Sequence, residues 1–267
     1  MDKLEKALQK ARALRETTVS VPSTKSLEAK GGPSNLSGVP VGTISMSEDV
    51  LEENRVLAHR LRSYEADLFR LLRTQVLQTM GNHHFNTLAI TSPNYGEGKT
   101  TIALNLAVSI ALDLKQTVLL VDLDLRKPSL HRYLGLNPEL GLTDYLAGRN
   151  ELSECLLRLP FERLTTLPAG RQLEQSSELL GSPQMSALAA ELKSRYPDRM
   201  VIYDMPPLLA QDDPLTFLPH VDAFLLVVQD GVTRAQDVKR SMDILSQANV
   251  IGTVLNNRER FPFFDKS

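Results

Sequence analysis

A lysine and a threonine that follow closely spaced glycines form the part of this sequence best suited to chemistry. Gly96, Gly98, Lys99 and Thr100 lie between a short β-rich run and a stretch with helical periodicity. Glycines let the backbone turn so that successive N–H groups face phosphate oxygens, and a helix N-terminus adds partial positive charge. In such loops the lysine reaches the β- and γ-phosphates and the threonine hydroxyl binds Mg²⁺. The spacing therefore predicts a nucleoside triphosphate site, although Pro93 stands where the usual pattern has its first glycine.

Three aspartates follow apolar runs that are typical of buried strands. Asp122 and Asp124 come after TVLLV, and Asp204 comes after RMVIY. In open α/β sheets, ligands bind outside the carboxyl ends of the strands. Because the glycine loop follows a third such run, we expect the three carboxylates to join Lys99 and Thr100 in one site for a triphosphate and its magnesium ion.

Short β-rich runs alternate with helical patterns along most of the chain. The predicted strands are 87–91, 117–122, 164–167, 201–204, 223–228 and 250–255, and the clearest predicted helices are 100–114, 184–194 and 234–248. Continuous apolar strands such as VLLV and FLLVV are buried on both faces. The alternation with helices predicts an α/β fold with a doubly wound, mostly parallel sheet, of the P-loop NTPase type.

The chain before these strands divides into parts of different composition. Residues 1–16 repeat apolar side chains at helical spacing, which predicts an N-terminal amphipathic helix. Residues 17–50 are rich in Ser, Thr, Gly and Pro and contain no aromatic residue, which predicts a flexible linker. The nucleotide-binding domain is then expected to span 51–267. It begins with a continuous helical pattern over 51–80, whose leucines we expect to face the core.

Composition narrows the class of protein. The 267 residues carry 30 Lys and Arg against 32 Asp and Glu, and this net charge of −2 provides no basic field for nucleic acid. The single cysteine, Cys155, excludes a disulfide framework. No apolar run approaches the roughly 18 residues that a membrane span needs, and no secretory core is evident at the N-terminus. We therefore expect a cytoplasmic protein that binds no nucleic acid and does not itself span a membrane.

Several blocks, taken in order, resemble one family over about residues 58–257. They are the loop TSPNYGEGKTT, the acidic block VLLVDLDLRKPSLH, the turn GLTDYLAG, the segments LPAG and SSELLGS, the block VIYDMPP and the closing TVLNN. In this order they resemble the bacterial tyrosine kinases of capsule and exopolysaccharide export, whose P-loop domain is similar to that of partition ATPases. The loop of that family also lacks the first glycine.

The resemblance implies a role for each matching residue. It implies nucleotide binding by Asn94, Tyr95, Gly96, Glu97, Gly98, Lys99, Thr100, Thr101 and Asn256. It implies catalysis by Lys99, Asp122 and Asp124, with one of the two aspartates helping to deprotonate the acceptor tyrosine. It implies that Thr100, Asp122 and Asp204 hold the metal. The cofactors would be ATP and Mg²⁺.

The resemblance also implies partners. Members of the family form rings through a helix carrying Glu-x-x-Arg-x-x-Arg, and the matching positions here are Asp67, Arg70 and Arg73, with aspartate in place of glutamate. A homo-oligomer is therefore expected. The second expected partner is the cytoplasmic segment of a membrane chain-length protein, the polysaccharide co-polymerase, which could recruit the chain to the inner face of the membrane.

One departure from the family leaves other functions open. The last tyrosine is Tyr203, and Phe261, Phe263 and Phe264 stand where the family carries its autophosphorylated tyrosine cluster, so we expect no autophosphorylation of that kind. An ATP-binding regulatory module with weak or lost kinase activity is one alternative. A partition-type ATPase switch is the other, and Asn94 disfavours it because those proteins carry a lysine at this position.

Overall fold

Seven strands form one sheet in the computed structural model, which describes residues 46–113, 115–196 and 198–257. In chain order they are β1 (Thr87–Thr91), β2 (Thr117–Asp122), β3 (Leu157–Arg158), β4 (Leu164–Leu167), β5 (Arg199–Asp204), β6 (Ala223–Gln229) and β7 (Val250–Asn256). Their order across the sheet is β3-β4-β2-β5-β1-β6-β7. Every neighbouring pair is parallel except β3 and β4. The predicted α/β fold is confirmed.

The central strands are buried on both faces, as their continuous apolar sequences predict. Every residue of β1, β4 and β5 is buried. The register pairs Asp204 with Ile90 of β1 on one side and with Asp122 of β2 on the other. The carboxyl ends of β1, β2 and β5 therefore lie level with one another, which brings the residues that follow them to one edge of the sheet.

The helices pack on both faces of this sheet. They are α1 (Glu48–Glu53), α2 (Tyr64–His83), α3 (Lys99–Ala111), α4 (Leu130–Tyr133), α5 (Leu142–Leu146), α6 (Leu152–Cys155), α7 (Ser176–Leu180), α8 (Pro183–Ser194), α9 (Asp213–Phe217) and α10 (Ala235–Ile244), with short 3₁₀ turns at Leu218–His220 and Leu245–Gln247. Nearly all of α3 is buried, because it lies between α2 and the sheet. None of the helices described here has the length and apolarity that crossing a bilayer demands.

The expectation of one continuous helical stretch over 51–80 is wrong. The chain forms two helices separated by residues 54–63, because Arg55 takes a left-handed conformation after α1 and the Ser63 hydroxyl caps α2 by accepting a hydrogen bond from Ala66 N. The expectation that its leucines face the core is also wrong for Leu61, Leu68 and Leu71, which are 90%, 46% and 57% exposed. Periodicity identifies an apolar face but does not say what covers it.

The predicted boundaries differ from the structure in smaller ways. Helix α1 begins at Glu48, so the last three residues of the predicted linker are helical. Helix α3 ends at Ala111 rather than Leu114, and the two-residue antiparallel strand β3 has no counterpart among the predictions. Cys155 is buried as a small core residue. The predicted N-terminal helix, most of the linker and the terminal phenylalanines lie outside the described residues.

The side chain of Asn105 fastens the segment between α1 and α2 to α3. Its Oδ1 accepts hydrogen bonds from Leu57 N at 2.7 Å and Ala58 N at 2.9 Å. Its Nδ2 donates to the carbonyl of Arg55 and to that of Thr101, each at 2.8 Å. Asn105 is fully buried, and its bond to Ala58 N is buried with it, whereas the other three bonds are partly buried.

Replacing Asn105 by alanine should therefore be strongly destabilising. The change removes the partner of the Leu57 and Ala58 N–H groups and of the Arg55 carbonyl, and a group left unpaired away from water costs about 1–3 kcal/mol. We expect the free energy of unfolding in urea to fall by about 3 kcal/mol or more. Asn249, whose exposed amide donates one hydrogen bond to Asp222 O, provides the matched control. Equal losses for Asn105→Ala and Asn249→Ala would contradict this account.

Candidate active site

The glycine loop connects the end of β1 to the start of α3. Gly96 and Gly98 have φ angles of +82° and +93°, a region that favours glycine. At Gly98 a Cβ atom would lie 2.0 Å from Nδ2 of Asn256, so only glycine fits against the end of β7. The loop thus turns tightly around the first residue of α3, Lys99.

A buried carboxylate within the loop fixes its shape. Glu97 is 2% exposed and accepts hydrogen bonds from Asn94 N at 3.0 Å and from the Thr233 hydroxyl at 2.7 Å. The carbonyl of Glu97 accepts a hydrogen bond from Asn256 Nδ2 at 2.9 Å. The side chains of Glu97 and Asn94 thus face the protein and stiffen the loop, so any phosphate contact from these two residues is left to their backbone.

Lys99 lies between two of the aspartates. Its ammonium is 3.1 Å from Asp124 Oδ2 and 3.6 Å from Asp204 Oδ1, and all three side chains are almost completely buried. Thr100 donates a 2.7 Å hydrogen bond to the other oxygen of Asp204 and lies 3.2 Å from the Ser129 hydroxyl. The ends of β1, β2 and β5 therefore meet around one ammonium group.

Asp122 is held behind this cluster by backbone N–H groups. Its Oδ1 accepts a hydrogen bond from Asp124 N, and its Oδ2 accepts hydrogen bonds from Ser129 N and Leu130 N, at 3.1–3.2 Å. These bonds shape the turn after β2 and place Asp124 and Ser129 beside Lys99 and Thr100.

The three carboxylates carry more negative charge than Lys99 neutralises. Burial and the neighbouring Asp204 raise the pKa of Asp122 to about 7, and burial likewise raises the pKa of Asp204. Burial alone would lower the pKa of Lys99, but the three carboxylates raise it above its ordinary value. Lys99 therefore stays charged, and the site has an affinity for additional positive charge.

A magnesium ion fits these residues if it arrives with a nucleotide. Asp204 Oδ1 is buried and accepts no hydrogen bond, although Lys99 lies near it. Among residues 46–113, 115–196 and 198–257, no three His, Cys, Asp or Glu side chains are grouped closely enough to hold a metal by themselves. Mg²⁺ is commonly bound by one or two carboxylates together with substrate phosphates and water. Thr100 and Asp204 match that pattern, because they offer a hydroxyl and a carboxylate beside the phosphate loop.

Tyr95 covers the outer side of Asp124. Its hydroxyl is hydrogen-bonded to Gln211 Nε2, and that same nitrogen is 3.4 Å from Asp124 Oδ1. The Lys127 ammonium lies 4.1 Å from the centre of the Tyr95 ring, within the range of a cation–π contact. Three strand-end segments thus meet over Asp124, which is 1% exposed.

A cavity of about 1060 Å³ includes this cluster in its lining. Lys99, Thr100 and Asp124 line it, and so do Asn256 and Arg55. Its apolar lining includes Leu57, Leu68, Phe69, Leu72, Val254 and Leu255. This is ample space for a drug-sized or nucleotide-sized ligand.

The residues predicted to form an oligomer contact are engaged within the chain. Asp67 and Arg70 pair with each other on α2, and Arg70 also donates to the carbonyls of Arg60 and Leu61. Arg73 donates to Ser109 O on α3 at 2.9 Å. Their role between subunits stays a prediction.

The structure brings Lys99, Thr100 and the three aspartates together, as the strand-end argument expects. Thr101 and Asn256 line the cavity, and Tyr95 points its side chain toward Asp124. The sequence gives no signal for Ser129, Gln211 or Thr233, because their contacts depend on how distant loops pack. Lys127 belongs to the Arg-Lys-Pro turn of the resemblance, although its position over Tyr95 does not follow from that motif.

Comparison with known proteins identifies a matching nucleotide-binding domain and similar tyrosine-protein kinases. The family described as "CobQ/CobB/MinD/ParA nucleotide binding domain" matches residues 88–260. Tyrosine-protein kinase YwqD of Bacillus subtilis (strain 168) is 30% identical over 211 residues, which is 78% of this chain and 88% of that protein. Tyrosine-protein kinase wzc of Salmonella typhi is 34% identical over 193 residues, which is 72% of this chain but only 26% of that protein.

Solved structures give the same result. The kinase domain of Escherichia coli tyrosine kinase ETK superposes with a TM-score of 0.68 at 29% identity, covering 84% of this chain and 93% of that domain. The septum site-determining protein MinD from Pyrococcus horikoshii OT3, complexed with Mg-ADP, gives a TM-score of 0.56 at 26% identity, covering 66% and 72%. By its matched domain and its YwqD relationship, the chain belongs to the bacterial tyrosine-protein kinases, whose nucleotide-binding domain is of the CobQ/CobB/MinD/ParA type.

Proposed function

We propose that this chain transfers the γ-phosphoryl group of ATP to tyrosine residues of proteins. The observation that carries the proposal is the Lys99 ammonium placed between Asp124 and Asp204, beside Thr100 and at the N-terminus of α3. In phosphoryl transfer, the protein mainly positions the reactants and neutralises the charge on the phosphates. A lysine, a hydroxyl and carboxylates at three strand ends supply both.

The phosphate loop would hold the nucleotide as follows. Backbone N–H groups of 94–101 would bind the phosphates, with Lys99 reaching the β- and γ-phosphates. Thr100 and Asp204, with Asp122 behind them, would hold Mg²⁺, a choice supported by the Mg-ADP found in the MinD neighbour. Magnesium, when bound, offsets phosphate charge and polarises the transferring group.

Asp124 is the carboxylate better placed to accept the proton of the acceptor tyrosine. Both oxygens of Asp122 accept hydrogen bonds from backbone N–H groups. Only one oxygen of Asp124 does so, Oδ1 from Lys127 N, and its Oδ2 faces the Lys99 ammonium where the γ-phosphate would lie. The acceptor oxygen would attack the γ-phosphorus, the bond to the β–γ bridging oxygen would break, and ADP would leave. The phenol proton would pass to Asp124. Because Tyr95 and Gln211 cover Asp124, an acceptor would have to displace them.

Two partners complete the proposal. Homologous Wzc is several times longer than the matched region, and we propose that this chain works with a separate membrane chain-length protein, the polysaccharide co-polymerase, at the inner face of the membrane. We also propose that copies of this chain associate through α2. Asp67 and Leu71 are exposed on that helix, and Leu61, just before it, is almost fully exposed.

Replacing Lys99 by methionine tests the kinase proposal. Transfer of labelled γ-phosphate should fall at least about 100-fold, the order expected when one preorganised charge at the reacting group is removed. Labelling is measured on the chain itself, on a random Glu–Tyr copolymer and on the cytoplasmic segment of the co-polymerase. Lys239→Met, which alters an exposed lysine of α10, is the matched control and should retain activity.

Two results would separate the alternatives. Binding of Mg·ATP without phosphotyrosine on any of the three acceptors would identify a regulatory module instead of a kinase. Labelling that survives Lys99→Met would show that the activity does not use this site.

The nucleotide-free protein should lose stability as pH rises toward neutrality. The pKa of Asp122 is about 7 in the folded chain and 3.8 ordinarily, so between these values the folded chain keeps a proton that the unfolded chain has released. Stability therefore falls with rising pH through this window and levels off above it. Asp122→Asn removes this titration, and the slope should decrease by up to about 1.4 kcal/mol per pH unit. Urea unfolding across this range measures both slopes, and equal slopes would refute the assignment.

If copies of the chain associate through α2, the mass of the protein in solution should depend on the exposed residue Leu71. Leu71 is 57% exposed and is not among the residues that line the cavity. Leu71→Asp should move the mass measured by light scattering toward the 29.7 kDa of one chain, while ATP binding is retained. Leu215→Asp, on α9 and 49% exposed, is the control. A monomeric wild-type protein, or an unchanged oligomer in Leu71→Asp, would exclude this interface.

A further inference from the structure

Two residues with left-handed backbone conformations meet in the lining of the cavity that contains Lys99. Arg55 has a φ of +56° and Asn257 a φ of +58°. Nη1 of Arg55 donates a hydrogen bond to Oδ1 of Asn257 at 3.4 Å, and both residues line the cavity. In the described part of the chain, the other non-glycine residue with positive φ is His84, at the end of α2. The two remaining residues of this kind, Arg55 and Asn257, are thus hydrogen-bonded to each other in the lining of the cavity.

Arginine is an unfavourable choice for the turn in which Arg55 lies. Arg55 N donates to Glu52 O at 2.9 Å, and Val56 N donates to Leu51 O at 2.7 Å, which is the hydrogen-bonding pattern of a Schellman motif after α1. Its left-handed position is usually occupied by glycine, because the Cβ atom of any other residue crowds the following carbonyl oxygen. Glycine would therefore suit this turn better than arginine. The turn itself gives no reason for an arginine side chain at position 55.

The position of Arg55 is fixed relative to the phosphate loop. Its carbonyl accepts a hydrogen bond from Asn105 Nδ2, and Asn105 lies on α3, whose first residue is Lys99. The distance between Lys99 and Arg55 is thus set by one buried helix. Because Lys99 and Arg55 line the same cavity, a nucleotide with its phosphates at Lys99 has room to place its base beside Arg55.

The cavity near Arg55 has the character of a base site. Leu57 and Val254 supply apolar surface there. The amide of Asn256 is oriented by its bond to the Glu97 carbonyl, which leaves its oxygen able to accept a hydrogen bond from an amino group of the base. A planar guanidinium stacks well on planar rings because it is weakly hydrated.

We propose that Arg55 is a nucleotide-binding residue that stacks on the base, with Asn257 holding its guanidinium across the opening of the cavity. This inference rests on the proposed function, because it requires a nucleotide whose phosphates lie at Lys99. It assigns base binding to a residue outside the phosphate loop and its strand-end partners.

The test compares ligands that do and do not carry a base. Titration calorimetry measures the Kd of Mg·ATP, and competition against ATP measures that of Mg·tripolyphosphate, for wild type, Arg55→Ala, Arg55→Gly and Arg55→Lys. We expect Arg55→Ala and Arg55→Gly to weaken ATP about tenfold and tripolyphosphate less than twofold, with Arg55→Lys in between. Without nucleotide, Arg55→Gly should melt at or above the wild-type temperature, because glycine relaxes the turn.

Arg55→Gly keeps the test decisive, because it removes the side chain that would bind the base while it preserves the backbone conformation of the turn. Lower affinity for ATP together with equal or higher thermal stability cannot result from a purely structural role. Unchanged ATP affinity in Arg55→Ala and Arg55→Gly, or equal loss for ATP and tripolyphosphate, would overturn the inference while leaving the proposed function intact. Failure of the wild-type protein to bind either ligand would instead overturn the proposed function.

Discussion

The buried ammonium of Lys99 is the interaction on which the candidate site depends. It joins Asp124, after β2, to Asp204, at the end of β5, in a region where both carboxylates are shielded from water. Removing one partner of a buried ion pair is strongly destabilising, because the charge left behind has no compensation. Lys99 is therefore both a proposed phosphate ligand and a structural link between strand ends. Loss of activity in a Lys99 variant has to be compared with its loss of stability.

In this arrangement the carboxylates of the site outnumber its single ammonium group. Three buried carboxylates surround one ammonium, and the raised pKa values of Asp122 and Asp204 express the resulting repulsion together with burial. A divalent cation bound with a nucleotide would relieve this repulsion, and any ligand that binds only the folded state stabilises it. The same charge imbalance thus underlies both the predicted fall in stability toward neutral pH and the proposed binding of a metal–nucleotide complex.

The parts of the fold that depend on local sequence could be predicted, and those that depend on distant packing could not. Continuous apolar runs identified the buried strands, and the spacing of Gly96, Gly98 and Lys99 identified the loop. The exposed leucines of α2 were misjudged because amphipathic periodicity is the same whether a face meets the core or another molecule. The contacts of Asn105 and Gln211 could not be anticipated either, since each joins segments brought together only by the strand order.

Helix α3 connects the phosphate loop, the segment that carries Arg55 and helix α2. It begins at the phosphate loop with Lys99, and Asn105 and Ser109 follow at a spacing that places them on one face. Asn105 holds the segment that carries Arg55, and Ser109 exchanges hydrogen bonds with Arg73 and Phe69 of α2. A subunit contact that shifted α2 would therefore act on the same buried helix that sets the distance between Lys99 and Arg55. The proposed association of subunits would therefore be connected to the proposed nucleotide binding through Asn105 and Ser109.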